Sequence, residues 1–260
     1  MSDPRLAADP ALMTLNRPAQ VAVPVADLCR RPDGPRDRQV LFGEEVTVLH
    51  EASGWAYVQA EKDGYCGYVL QRALSTTRRV THRVRVPATH AYSNADLKSP
   101  DLLSLSFGSP VTVIAETRDF AETPQGHIPR GHLAPIDRHE ADPAQIAALF
   151  LGTPYLWGGN SRWGIDCSGL VQAALLACGI PCPGDSDQQE TTVGAPVSGA
   201  YQRNDLLFWK GHVALVVDGE TMIHANAHAM AVSYENIADA IARIEAGGDG
   251  PVTAHRRPGV

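Results

Sequence analysis

Residues 152–171 read GTPYLWGGNSRWGIDCSGLV. Gly158-Gly159 and Gly164 mark a loop, and Asp166-Cys167-Ser168 opens an apolar stretch through Leu170, Val171, Ala174 and Leu175 to Cys178-Gly179. The spacing predicts a helix that begins after Asp166, with Cys167 in its first turn. A free thiol titrates at roughly 8.5, and the thiolate is its reactive form. A helix N-terminus carries about half a positive charge and stabilises an anion there. The N–H groups of that turn can also hold a developing oxyanion. A cysteine on its own is commonly a small buried hydrophobe. That suits Cys178 at the end of the apolar helix better than Cys167, which sits between two polar residues.

A nucleophilic thiol needs a base. Of ten histidines, His212 opens HVALVVD and His224 lies in MIHAN, with Asp218-Gly219 between them. A simple hairpin centred on Asp218 would set His212 opposite His224. Cross-strand neighbours approach closely enough for one imidazole to orient the other.

Working outward, the N-terminal half reads as all-β. Alternating segments fall at 45–50, 55–59, 65–70, 80–86 and 111–115, several separated by turn signals such as Ser53-Gly54 and Asp63-Gly64. A weak repeat runs through it. LFGEEVTVLHE at 41–51 is echoed by LSFGSPVTVIAE at 105–116, and each is followed by a glycine-bearing strand, DGYCGYV from Asp63 and QGHIPRGHL from Gln125. That period suits a small barrel domain and is too long for a solenoid. C-terminal to it, Asp142-Pro143 starts a helix with Ile146, Leu149 and Phe150 on one face, and Ile237–Ile244 forms a last amphipathic segment. Helices followed by strands make an α+β order.

The chain has 260 residues, 44% hydrophobic and 20% charged, enough for packed cores. Its formal charge is -7, and its basic residues cluster no further than pairs such as Arg30-Arg31, Arg78-Arg79 and Arg256-Arg257. Nucleic acid and anionic membrane or wall polymers are therefore disfavoured as partners. No apolar run approaches the ~20 residues of a membrane span. The N-terminus does not resemble a secretory signal peptide. Five irregularly spaced cysteines argue against a disulfide framework, and with the N-terminus they point to the cytoplasm. Cys178 and Cys182 lack a second ligand pair, and no metal or other cofactor is expected.

Three ordered motifs carry a resemblance. PYLWGG from Pro154, DCSGLV from Asp166 and DLLFW…GHVALVV from Asp205, with the later MIHAN, resemble the NlpC/P60 family of papain-like cysteine peptidases. The "hydrophobic-x-G-E-x-V" opening and DGYCGYV resemble bacterial SH3-like domains, clear in the first copy and degenerate in the second. The resemblance implies an extension over 1–19, SH3-like barrels at 20–75 and 80–136, and a peptidase domain at 140–260. It implies Cys167 as nucleophile, His212 as general base and acid, and His224 as the residue that orients His212. Tyr155, Asp166 and Ser168 match family positions beside the nucleophile.

The order of domains is similar to the γ-D-glutamyl-L-diamino acid endopeptidases of murein-peptide recycling. The implied substrate is L-Ala-γ-D-Glu-diaminopimelate or its lysine counterpart, with a free N-terminal L-Ala. Asp166 or Glu44 would receive the substrate ammonium, Tyr65 would form a wall, and Asp185 and Ser186 would contact substrate. Gly184 stands where the family usually has Arg, so another donor must hold the D-Glu α-carboxylate. Trp157 and Trp163 could line the cleft or pack, and Asp205 reads as a turn residue. Rival readings are a secreted peptidoglycan hydrolase anchored by its SH3-like domains, a silent muropeptide-binding module, and an acyltransferase or thioesterase on the same scaffold.

Overall fold

In the N-terminal half, β-branched and small residues alternate with polar ones, and the chain folds there as antiparallel sheet. The computed structural model describes residues 3–259. It divides into two compact units, one ending at Arg138 and the other beginning at His139.

The first unit holds two β-modules. A seven-stranded antiparallel sheet is built from strands between Arg17 and Ser75. Its inward residues Val21, Leu28, Val46, Val48, Val58 and Val69 make one core. Strands between His82 and Pro135 form a five-stranded and a three-stranded sheet around Val84, Leu105, Val111 and Ile128. The repeat seen in sequence is a repeated turn. Glu44 N–H donates to Leu41 C=O and Ser109 N–H to Ser106 C=O; Phe42 N–H donates to Pro24 C=O and Phe107 N–H to Pro87 C=O. Gly43 (φ 79°) and Gly108 (φ 84°) take the left-handed conformation that this turn demands. At Gly43 there is a second reason for glycine, since a Cβ would lie 2.0 Å from Pro110 O. Phe42 itself is buried in the second core, so the first turn plugs into the second module.

Part of the stretch ahead of Gln20, expected as an extension, is bonded into the first module. Arg17–Val21 pairs with both Glu45–Ala52 and Leu74–Ser75. Upstream, Cys66 N–H donates to Arg5 C=O and Leu15 N–H to Leu49 C=O, and Leu6 packs on the core.

Among the described residues, the second unit has four α-helices and a six-stranded antiparallel sheet. The helices are α1 (Pro143–Ala148), α2 (Cys167–Ala177), α3 (Ser186–Thr192) and α4 (Ile237–Ala246). The sheet runs in the order Ala195–Pro196, Ala254–Arg257, Leu206–Trp209, His212–Val216, Thr221–Asn226, Ala231–Asn236. The amphipathic face of α4, Ile237, Ala240 and Ile244, covers Leu207, Trp209, Ala214, Val216 and Met222. The alternate residues Leu206, Phe208, Val213, Leu215 and Ile223 are fully buried, and α1 and α2 pack against the His212 and Thr221 strands. No described helix is long and apolar enough to cross a membrane.

Candidate active site

The loop 158–166 exists to start α2. Asp166 is its N-cap, and both carboxylate oxygens are committed. Oδ1 accepts from Gly169 N–H (2.6 Å) and Ser168 Oγ–H (3.1 Å), and Oδ2 accepts from Gly158 N–H (2.9 Å). Gly158 reaches this position with φ 69°. Gly169 lets the loop lie against the helix, since a Cβ there would meet Gly159 O at 2.5 Å. Cys167, buried, is therefore the first residue of a well-capped helix. Ser168 is buried too, its hydroxyl on Asp166 and its carbonyl accepting from Gln189 Nε2–H (2.9 Å). Asp166 and Ser168 thus build the site's frame.

Tyr155 lies within electrostatic reach of Cys167 and Asp166. Burial, then the charges of Cys167 and Asp166, push its phenol above the usual tyrosine range, so it stays a hydroxyl donor. It also lines, with His212, a cavity of about 430 Å³.

The two histidines meet, though not through the expected register. The observed pairs Leu215↔Ile223 and Val216↔Met222 put Ala214, and not His212, opposite His224. Asp218 Oδ1 accepts from both Glu220 N–H and Thr221 N–H, which widens the turn and moves its centre to Gly219. The shift preserves parity, so His212 and His224 still share a face, now as diagonal neighbours within reach of long side chains. His212 Nε2 lies 2.9 Å from His224 Nδ1. Burial lowers His212 to about 3, helped by His224 and Arg243 and opposed by Glu235. Burial likewise lowers His224 to about 4 against the opposing pull of Glu235. Both rings rest neutral at physiological pH.

Sequence reading missed what lies behind them. His224 Nε2 is 2.9 Å from Glu235 Oε2. Arg243 on α4 clamps that carboxylate, Nε to Oε1 at 2.8 Å and Nη2 to Oε2 at 2.7 Å. Arg243 and His224, against the cost of burial, hold Glu235 below the usual carboxylate range. The available signal was alternation: AVSYEN is a strand whose odd residues Ser233 and Glu235 face away from buried Val232.

Asp185 caps α3 in a reciprocal box with Gln188, and Ser186 begins that helix. In the other unit, Glu44 is held by Lys62 (2.8 and 2.9 Å) and by Leu41 N–H. Tyr65, expected as a cleft wall, is 3% exposed and belongs to the first β-core. Trp157 and Trp163 are 69% and 47% exposed, so they are not core residues. Asp205 is more than a turn residue: fully buried, it receives Arg257 (2.6 and 2.9 Å), His255 (2.7 Å) and Gln202 N–H. Among the described residues no group of three or more His, Cys, Asp or Glu is placed to hold a metal.

Comparison with known proteins adds the family. Residues 152–244 match the NlpC/P60 family and residues 28–74 the bacterial dipeptidyl-peptidase Sh3 domain. The chain is 32% identical over 214 residues to the gamma-D-glutamyl-L-lysine dipeptidyl-peptidase of Bacillus subtilis (strain 168), covering 72% of this chain and 71% of that protein. It is 27% identical over 240 residues to dipeptidyl-peptidase 6 of Lysinibacillus sphaericus, covering 80% and 87%. The crystal structure of an NlpC/P60 family protein from Bacillus cereus superposes with a TM-score of 0.77 at 23% identity, over 93% of this chain and 99% of that one, a likeness of fold. With an SH3-like domain followed by this cysteine–histidine unit, the chain belongs to the NlpC/P60 family of cysteine peptidases.

Proposed function

We propose that the protein hydrolyses the γ-D-glutamyl bond to the diamino acid in murein peptides that begin with a free L-Ala. Cys167 attacks the γ-carbonyl of D-Glu. His212 takes the thiol proton and delivers it to the leaving amine, then activates the water that releases the acyl-enzyme. His224 orients His212. The observation that carries this reading is the 2.9 Å contact between His212 Nε2 and His224 Nδ1. It engages one nitrogen of His212 and leaves Nδ1 for chemistry, in a unit whose helix begins with Cys167. The relatives' name, dipeptidyl-peptidase, describes release of a dipeptide from an amino terminus.

Tyr155, a hydroxyl beside Cys167, suits donation to the developing oxyanion. Lys210 and His228 on the cavity beside His212 are candidate partners for substrate carboxylates, a task that Gly184 cannot perform. We read the second β-module as a second SH3-like domain, on the strength of the repeated turn bonds. Five free cysteines suit a reducing compartment and hence cytoplasmic peptide recycling.

The test is mass spectrometry of L-Ala-γ-D-Glu-L-Lys and its diaminopimelate counterpart. The expected product is L-Ala-γ-D-Glu, with kcat lowered at least about 10⁴-fold in Cys167→Ala and in His212→Ala. Full activity in either variant overturns the assignment. N-acetylated tripeptide should be refused; cleavage of it or of intact sacculi at equal rate would favour a wall hydrolase.

A further inference from the structure

A histidine pair has an ambiguity that its geometry alone does not remove. With one proton in the His212 Nε2–His224 Nδ1 contact, either ring can be the donor. If His224 donates, His212 carries its proton on Nδ1 and cannot accept the thiol proton there. If His212 donates, Nδ1 bears the lone pair. The choice decides whether the site works.

We propose that Glu235, clamped by Arg243, is the positioning residue that selects the working tautomer of the His224–His212 pair. The argument is one of donors and acceptors. Arg243 donates from Nε to Glu235 Oε1 at 2.8 Å and from Nη2 to Oε2 at 2.7 Å, so this carboxylate is ionised and can only accept. Glu235 Oε2, 2.9 Å from His224 Nε2, therefore requires a proton on that nitrogen. A neutral His224 then presents Nδ1 as an acceptor. His212 must donate from Nε2, and its Nδ1 keeps the lone pair. Among the described residues Nδ1 of His212 has no hydrogen-bond partner. Arg243 is thus the start of a four-residue chain whose end is an open base. Its anchor is short: Glu235 ends a strand at Asn236 and Arg243 lies two turns into the helix that follows.

The chain also sets charge. Around the two rings stand Glu235, Arg243 and His228, with Tyr155, Lys210 and Asp249 on the cavity that His212 lines. Cys167 and Asp166 begin α2, which packs against the His212 strand. Of these, Glu235 favours an imidazolium and Arg243 opposes it. Removing each should move the His212 limb of the pH–rate profile in opposite directions, whichever limb His212 governs. A purely structural role for the pair would not give opposite signs.

This inference rests on His212 as base, so its test has an arm that needs no catalysis. Imidazole ¹⁵N resonances of the whole protein report the tautomers directly. The expected pattern is a proton on Nε2 of both His224 and His212; a proton on Nδ1 of either ring overturns the proposal. In the kinetic arm, with L-Ala-γ-D-Glu-L-Lys, Glu235→Gln should lower kcat about 10- to 100-fold with KM within about twofold. Its His212 limb should move to lower pH, and that of Arg243→Gln to higher pH. Wild-type kcat and profile in Glu235→Gln, a loss confined to KM, or shifts of the same sign would overturn it. Activity surviving in His212→Ala would instead sink the assignment of the base while leaving the tautomer result intact. Should Glu235→Gln fail to fold, Arg243→Gln and the wild-type resonances carry the decision.

Discussion

His212 and His224 are held neutral by burial, and this has a cost that pH exposes. An unfolded histidine titrates near 6.5, while the folded pair is lowered to about 3 and about 4. Between those values the unfolded chain binds more protons than the folded one, so stability rises with pH across the window and is lost as pH falls from about 6.5 toward 4. The expected outcome is a steep acid limb in urea-unfolding stability, on the order of several kcal/mol, that flattens in His212→Asn/His224→Asn. An unchanged slope in that variant would show that the rings are solvated in the folded state. Asp166 makes a second residue-scale case. Its carboxylate accepts from Gly158, Ser168 and Gly169. Asp166→Ala should cost about 1–2 kcal/mol as a lost cap. Because the same oxygens fix the loop beside Cys167, kcat should fall as well. A stable variant with undiminished kcat would separate the cap from the site.

At the scale of elements, caps and periodicity made three of the four helices legible. Asp142, Asp166 and the Gly247-Gly248 stop mark α1, α2 and the end of α4. The helix that escaped is α3, whose polar run SDQQETT has no apolar stripe; it folds because Gln188 and Gln189 are buried and Gln189 bonds to Ser168 C=O and Pro183 C=O. The hairpin register escaped for a local reason, the Asp218 side chain that bonds two N–H groups. The strand Ala254–Arg257 is tied to the sheet by the ion pair of buried Asp205 with the partly exposed Arg257 and by His255. Burial raises Asp205, but Arg257, His255 and Gln202 N–H outweigh it and leave the carboxyl below its ordinary range. Asp205→Ala leaves His255 and Gln202 N–H without their acceptor, and should destabilise the second unit by about 1–3 kcal/mol, read by denaturant titration. Amides of 254–257 should lose their hydrogen-exchange protection first. Retained protection there would mean that backbone pairing alone holds the strand.

Over the whole molecule, the N-terminal repeat is a device for joining two β-modules. The first aromatic-glycine turn inserts Phe42 into the second core and sets Gly43 against Pro110. Gly43→Ala forces both a left-handed alanine and a Cβ into a carbonyl oxygen, and should lower the stability of the first unit by about 2 kcal/mol or more. Gly108→Ala meets only Leu41 Cδ1 at 3.9 Å, so it pays the backbone strain alone and should cost less. Equal losses would remove the joint from the explanation.

By itself, the sequence determined the elements whose causes are local. Cys167 begins a helix because Asp166 caps it, the modules are β because their residues alternate, and His212 and His224 share a face because parity survives a shifted turn. Tertiary structure alone decided which groups complete the chain behind those histidines. Glu235 comes from the next strand and Arg243 from the helix after it, residues whose side chains in isolation read as a solvated strand face and a helix charge. Local patterning carries propensity and face, but a hydrogen-bonded relay depends on distances between elements, which only the packed fold supplies.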